Sequence, residues 1–107
     1  MTGTVNIGGI NVEMTANAAT PYRFKQAFGL DFFQLSTEDL SDAHAVEVYQ
    51  KLGYIMAMQA SGADMSKLNE GTFFVWLEQF DGNAMIEALT GVAAIYAGNT
   101  KQSVNPK

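Results

Sequence analysis

The chain has 107 residues, 48% of them apolar, a formal net charge of −5 and no cysteine. It is therefore one domain with enough apolar side chains to fill a core, without a disulfide framework or a thiolate metal site. Setting aside Lys101 and Lys107 near the polar end leaves 4 basic residues against 11 acidic ones, the reverse of the basic surface that phosphate backbones require.

Residues 4–15 (TVNIGGINVEMT) open the pattern. Apolar Val5, Ile7, Ile10, Val12 and Met14 alternate with polar Asn6, Asn11 and Glu13 on both sides of Gly8-Gly9. A period of two is the strand signature, and two glycines supply the positive φ angles of a type I′ turn. The expected hairpin sets Ile7 opposite Ile10 and Val5 opposite Val12, with all the apolar side chains on one face. An isolated two-stranded hairpin is marginal in water, so this one must lie on the rest of the chain.

The rest reads as helix. Asn17-Ala18-Ala19 is a connector, Thr20 an expected N-cap and Pro21 the first helical residue. Tyr22, Phe24, Ala27 and Phe28 give helical spacing, ending at Gly29. A short turn or helix is expected over 30–35. Ser36-Thr37-Glu38-Asp39 and Ser41-Asp42 are two candidate starts for a long helix reaching about Ala60. Its main stripe is Ala45, Val48, Tyr49, Leu52, Ile55, Met56 and Gln59, with a weaker apolar line through Val46, Tyr54 and Met58. Gly53 in mid-helix implies close approach by a neighbour. Ser61-Gly62 breaks the helix and residues 64–71 form a polar-rich connection. Residues 72–80 (TFFVWLEQF) read as helix rather than strand, because Phe73, Trp76, Leu77 and Phe80 share a helical face. Asp81-Gly82-Asn83 then caps a last helix over 84–97 carrying Met85, Ile86, Leu89, Val92, Ala93 and Tyr96, and Gly98-Asn99 ends it. The expected fold is α+β and mainly helical: an N-terminal antiparallel hairpin packed on about four helices, forming one globular unit over 1–97 (hairpin 4–15, helices 20–97), with a flexible polar tail over 98–107.

His44 is the sole histidine and is expected on a partly solvated helix start beside Asp42 and Glu47. Glu38, Asp39 and Asp42 lack the alternate-residue spacing of a calcium loop and are accounted for by helix capping. Glu78 with Asp81 or Glu87 is a solvated set of charges, not an acid–base pair. Gly8-Gly9 is turn chemistry, with no nucleotide-binding glycine spacing around it. No catalytic residue, metal ligand or cofactor is expected, and the protein is not expected to be an enzyme. No apolar run approaches the roughly 18–20 residues of a membrane span, and the N-terminus lacks the basic region and apolar run of a signal peptide. A soluble cytosolic protein that binds neither nucleic acid nor membrane is expected.

What stands out is apolar surface in excess of one small core. Trp76 with Phe73, Phe74 and Phe80, and the line Tyr54, Met56 and Met58, are of the types enriched at protein contacts. Tyr54, Met58, Phe74 and Trp76 are the candidate partner-binding residues.

The layout of these segments resembles a known family. A hairpin VNIGGxxVEM, a helix opening TPYRFKQAFG, a long Ala/Met-rich helix, an aromatic-acidic stretch FFVWLEQFD and an ending IYAGNTKQSVNPK together look like the short tail assembly chaperones of long-tailed phages and prophages of Gram-positive bacteria. The resemblance covers nearly the whole chain, and none of its motifs is a catalytic signature. It implies a non-enzymatic role in the host bacterial cytoplasm: coating the aggregation-prone tape measure protein until tail tube protein polymerises and displaces the chaperone, which is absent from the mature virion. It also implies self-association, since weak apolar sites on several subunits gain avidity through effective concentration. Many members have a longer frameshifted product, and Pro106-Lys107 is compatible with a slippery codon pair. On this reading, replacing Tyr54, Phe74 or Trp76 by Ala weakens tape-measure binding while melting changes little. The competing expectation is another acidic phage-encoded interaction protein, either an inhibitor of a host enzyme or a structural component of the virion tail.

Overall fold

A computed structural model describes residues 2–31 and 42–101, the latter with backbone alone at 42–44 and 99–101. An N-terminal antiparallel hairpin, β1 (Thr2–Ile7) and β2 (Ile10–Thr15), is followed by helices α1 (Thr20–Phe28), α2 (Asp42–Ser61), α3 (Glu70–Leu77), α4 (Gly82–Glu87) and α5 (Leu89–Lys101), with a single 3-10 turn at Met65–Lys67 before α3. Ala88 alone separates α4 from α5, and its N–H still donates to the Ala84 carbonyl, so the two form one rod with a local irregularity. The fold is the expected α+β arrangement, mainly helical.

The hairpin pairs as its pattern requires, Val5 opposite Val12 and Ile7 opposite Ile10. Gly8 and Gly9 take φ of 60° and 93° in the turn, a left-handed pair that a side chain would strain by about 1–2 kcal/mol at each residue. Gly8 is the more constrained, because a Cβ built on it lies 3.0 Å from the Ala84 Cβ, whereas one on Gly9 meets nothing within 4 Å. Gly8→Ala is accordingly expected to cost about 2 kcal/mol and Gly9→Ala about 1 kcal/mol. Urea denaturation midpoints would check that order, and a reversal would mean that the turn does not rest on α4.

The apolar face of the hairpin lies across α2 and the α4–α5 rod, β2 along α2 and β1 against α5. Val5, Ile7 and Met14 are buried, each contributing about 1.5–3 kcal/mol of burial. At its crossing with this layer α2 has no Cβ: one on Gly53 would stand 3.3 Å from the Val92 Cγ2 and 3.4 Å from the Met14 Cε. The close approach inferred from a mid-helix glycine is therefore made by β2 and α5 together. Residues 51–57 of α2 are all buried, so the helix runs through the middle of the domain instead of lying on its surface.

Three local expectations are corrected. Thr20 does not cap α1; the N-cap is Ala19, which makes no side-chain cap bond. The Thr20 hydroxyl is buried instead, accepting from the Asn17 N–H at 2.9 Å and donating to the Gln59 Oε1 at 2.8 Å. Gln59 Nε2 donates back to Asn17 Oδ1 at 3.2 Å, so the connector is tied to the end of α2. The last helix continues through Gly98-Asn99 to Lys101, because a glycine and an asparagine lower helix propensity without forbidding it. Ile86 points outward, 52% exposed, while Ile95 fills the core. Gly29, by contrast, closes α1 as expected, its N–H donating to the Lys25 carbonyl at 2.7 Å. Residues 32–35 of the turn expected after α1, the first candidate start at 36–39, the side chain of His44 and residues 102–107 of the tail lie outside the described residues.

Candidate functional site

Helix α3 builds one wall of the site, and its start is fixed by side chains. The Thr72 N–H donates to Asn69 Oδ1 and the Asn69 N–H to Thr72 Oγ1, each at 2.9 Å, a reciprocal capping box that satisfies two end groups at once. The Tyr54 hydroxyl donates to the same Thr72 Oγ1 at 2.7 Å, and one turn back on α2 the Lys51 Nζ donates to Glu70 Oε2 at 2.9 Å. These two contacts join α3 to the middle of α2. With that orientation set, Phe73 enters the core and Phe74 and Val75 face outward, 52% and 70% exposed.

The aromatic side chains of this joint form a continuous cluster. Tyr54 lies 5.6 Å from Phe73 and 5.4 Å from Trp76, ring centre to ring centre, and Trp76 meets Phe80 edge-on at 4.9 Å. Such offset and edge contacts add to simple burial. Lys51 sits over one end of the cluster, its Nζ 5.0 Å from the Phe28 ring centre. Burial by itself would lower the pKa of this ammonium, but hydrogen bonds and charge from Glu70 and Glu47 outweigh it and hold it above the ordinary lysine value.

Between β2, the C-terminal turns of α2 and the end of α3 lies an open groove of about 310 Å³. Its lining combines apolar Ile10, Val12, Met58, Trp76 and Phe80 with polar Asn11, Glu13, Ser61 and Gln79. Ile10 is 40% exposed; the apolar face of the hairpin is thus covered at Val5, Ile7 and Met14 and left open toward this groove. Among the described residues every buried side-chain nitrogen and oxygen has a hydrogen-bond partner, so no orphaned polar atom is aimed into the groove. Among the described residues its lining offers apolar contact and hydrogen-bonding groups, with Glu13 its one carboxylate.

Of the candidate partner-binding residues, Met58 and Trp76 are half-buried in this groove, and Phe74 stands outside it on the exposed face of α3. Tyr54 is corrected to a core residue: at 2% exposure, packed against three rings and bonded to Thr72, it has no surface to offer a partner. Ile10 and Val12 were missed because their alternation assigned them to the buried face of the hairpin. Glu38 and Asp39 lie outside the described residues, and elsewhere among those residues no three His, Asp or Glu side chains gather as metal ligands. No described helix is long and apolar enough to cross a membrane. No family model, curated protein or solved structure matches this chain.

Proposed function

We propose that this chain is a non-enzymatic tail assembly chaperone of a long-tailed phage or prophage, holding the tape measure protein soluble while the tail tube is built around it. The observation that carries the reading is the open apolar groove of Met58, Trp76 and Phe80 beside the exposed Phe74-Val75 face. Apolar surface of this kind on an acidic chain suits reversible capture of an aggregation-prone partner, since the net charge keeps the unoccupied surface soluble. Aromatic rings and methionine supply contact area that adapts to more than one shape. The resemblance of the hairpin, the TPYRFKQAFG helix and the WLEQFD-to-IYAGNTK ending supplies the identity of the partner. In this reading the protein acts as an oligomer in the host cytoplasm, gives way to tail tube protein and does not remain in the virion.

Co-expression with the tape measure protein of the same phage or prophage, followed by a tagged pull-down, tests this. The expected result is a soluble tape measure protein that co-purifies with many copies of this chain. Phe74→Ala is expected to weaken that capture by about tenfold, the effect of losing one well-packed aromatic contact, while the melting temperature stays within a few degrees. A tape measure protein that aggregates as before and retains none of this chain would overturn the proposal, as would finding the chain in purified particles.

A further inference from the structure

The lining of the groove contains Ile10, Asn11, Val12 and Glu13 in unbroken succession. Successive side chains of a strand point to opposite faces, so a cavity on one face is lined by every second residue. Lining by four in a row sets the groove along the outer edge of β2. That edge is unpaired among the described residues, where the sheet consists of β1 and β2 alone. Ile7 and Ile10 flank the two-residue turn as a bonded pair, and in an antiparallel ladder bonded and non-bonded pairs alternate. The N–H and C=O of Asn11 and Glu13 therefore turn away from β1, toward the groove. A helix has its own backbone bonds closed and offers nothing to such an edge, whereas an extended segment matches it group for group.

Charge narrows the occupant further. Among the described residues Glu13 is the one charged side chain lining the groove and no basic residue lines it, and Glu78 and Asp81 flank Gln79-Phe80 in the chain. We infer that the groove binds an extended segment as a third strand beside β2, with alternate apolar side chains set against Met58, Trp76 and Phe80 and a lysine or arginine meeting Glu13. This holds whether or not the physiological partner is a tape measure protein. Peptide binding without tape measure capture would leave a recognition site for another partner; capture without peptide binding would move the chaperone contact to another face.

Trp76 is the only tryptophan of the chain and lines the groove, so its fluorescence reports occupancy. The probe is a synthetic heptapeptide of alternating valine and threonine with a lysine at each end, compared with the same peptide N-methylated at every amide and with a glutamate-ended version. The lysine-ended peptide is expected to change Trp76 emission saturably, and N-methylation to weaken it at least about tenfold by removing the backbone donors. Glu13→Lys, an exposed substitution, is expected to weaken the lysine-ended peptide by about two- to fivefold at low salt and to favour the glutamate-ended one. Equal binding of the N-methylated peptide, or no saturable change up to millimolar peptide, would overturn the inference. So would sedimentation showing that the peptide-free protein already pairs with a second copy and shields Trp76, which would make that copy the occupant.

Discussion

Replacing Tyr54 by Ala is expected to lower folding stability by about 3–5 kcal/mol, a large part of the roughly 5–15 kcal/mol that holds a domain together. The ring is 2% exposed and packs against Phe28, Phe73 and Trp76 at 6.3, 5.6 and 5.4 Å between centres. Its removal leaves a cavity at the joint of α2 and α3 that rigid helices close only in part. Tyr54→Phe separates the two contributions. It keeps the ring and removes the hydrogen bond to Thr72, whose hydroxyl still donates to the Asn69 carbonyl at 2.9 Å, so about 1 kcal/mol is expected. Phe74→Ala, on a ring that is 52% exposed, is expected to cost less than about 1 kcal/mol. Urea denaturation of the three variants checks the order. A Tyr54→Ala midpoint equal to that of the parent would mean that the ring is not in the core.

That order decides how binding data are to be read. Loss of a partner in Tyr54→Ala would follow from a loosened fold, and it would not map a contact. Phe74→Ala tests the outer face of α3 without that ambiguity, and Ile10→Ser tests the groove at a residue already 40% exposed. Trp76 lies between the two cases, lining the groove while its ring packs on Tyr54 and Phe80.

Much of this architecture was legible because its signals are local. Alternation around Gly8-Gly9 specified both the hairpin and its register, and the spacing of Phe73, Trp76 and Leu77 outweighed their strand propensity. The apolar excess around Trp76, Phe74 and Met58 was visible too, although its division between core and surface was not. Tyr54 was misplaced because residues 51–57 of α2 are buried on every side. A helix packed all round has no apolar stripe from which an outer face can be told. The groove was illegible for a different reason. It is assembled from β2, the end of α2 and the end of α3, and no local period records which segments meet. Lys51 combines both difficulties: Glu47 stands one helical turn away at readable i,i+4 spacing, but Glu70 is 19 residues distant.

Removing both of those carboxylates, as Glu47→Gln with Glu70→Gln, is expected to lower stability by about 2 kcal/mol. The Lys51 side chain is 4% exposed and its Nζ lies 2.9 Å from each partner. A buried ion left unpaired costs about 3–5 kcal/mol, but these carboxylates are 57% and 60% exposed, and the water around them screens the pair and reduces the loss. Lys51→Met keeps most of the volume and removes the charge, and it is expected to change stability by less than about 1 kcal/mol in either direction. The two variants also differ in their pH dependence. Burial alone would lower the Lys51 pKa, but Glu70 and Glu47 hold it above lysine's ordinary 10.5, and burial, with Tyr49 adding to it, raises Tyr96 above 10.0. A folded pKa above the unfolded one gives stability that is fully present below the unfolded value and is lost as pH rises through the folded value. Melting temperature is therefore expected to fall as pH rises above about 10, with a shallower fall in Lys51→Met, where the Tyr96 share remains and the Lys51 share is gone. Parallel alkaline curves for the parent and Lys51→Met would show that the ammonium is not held by its two carboxylates. The joint between α2 and α3 would then rest on Tyr54 and its ring contacts.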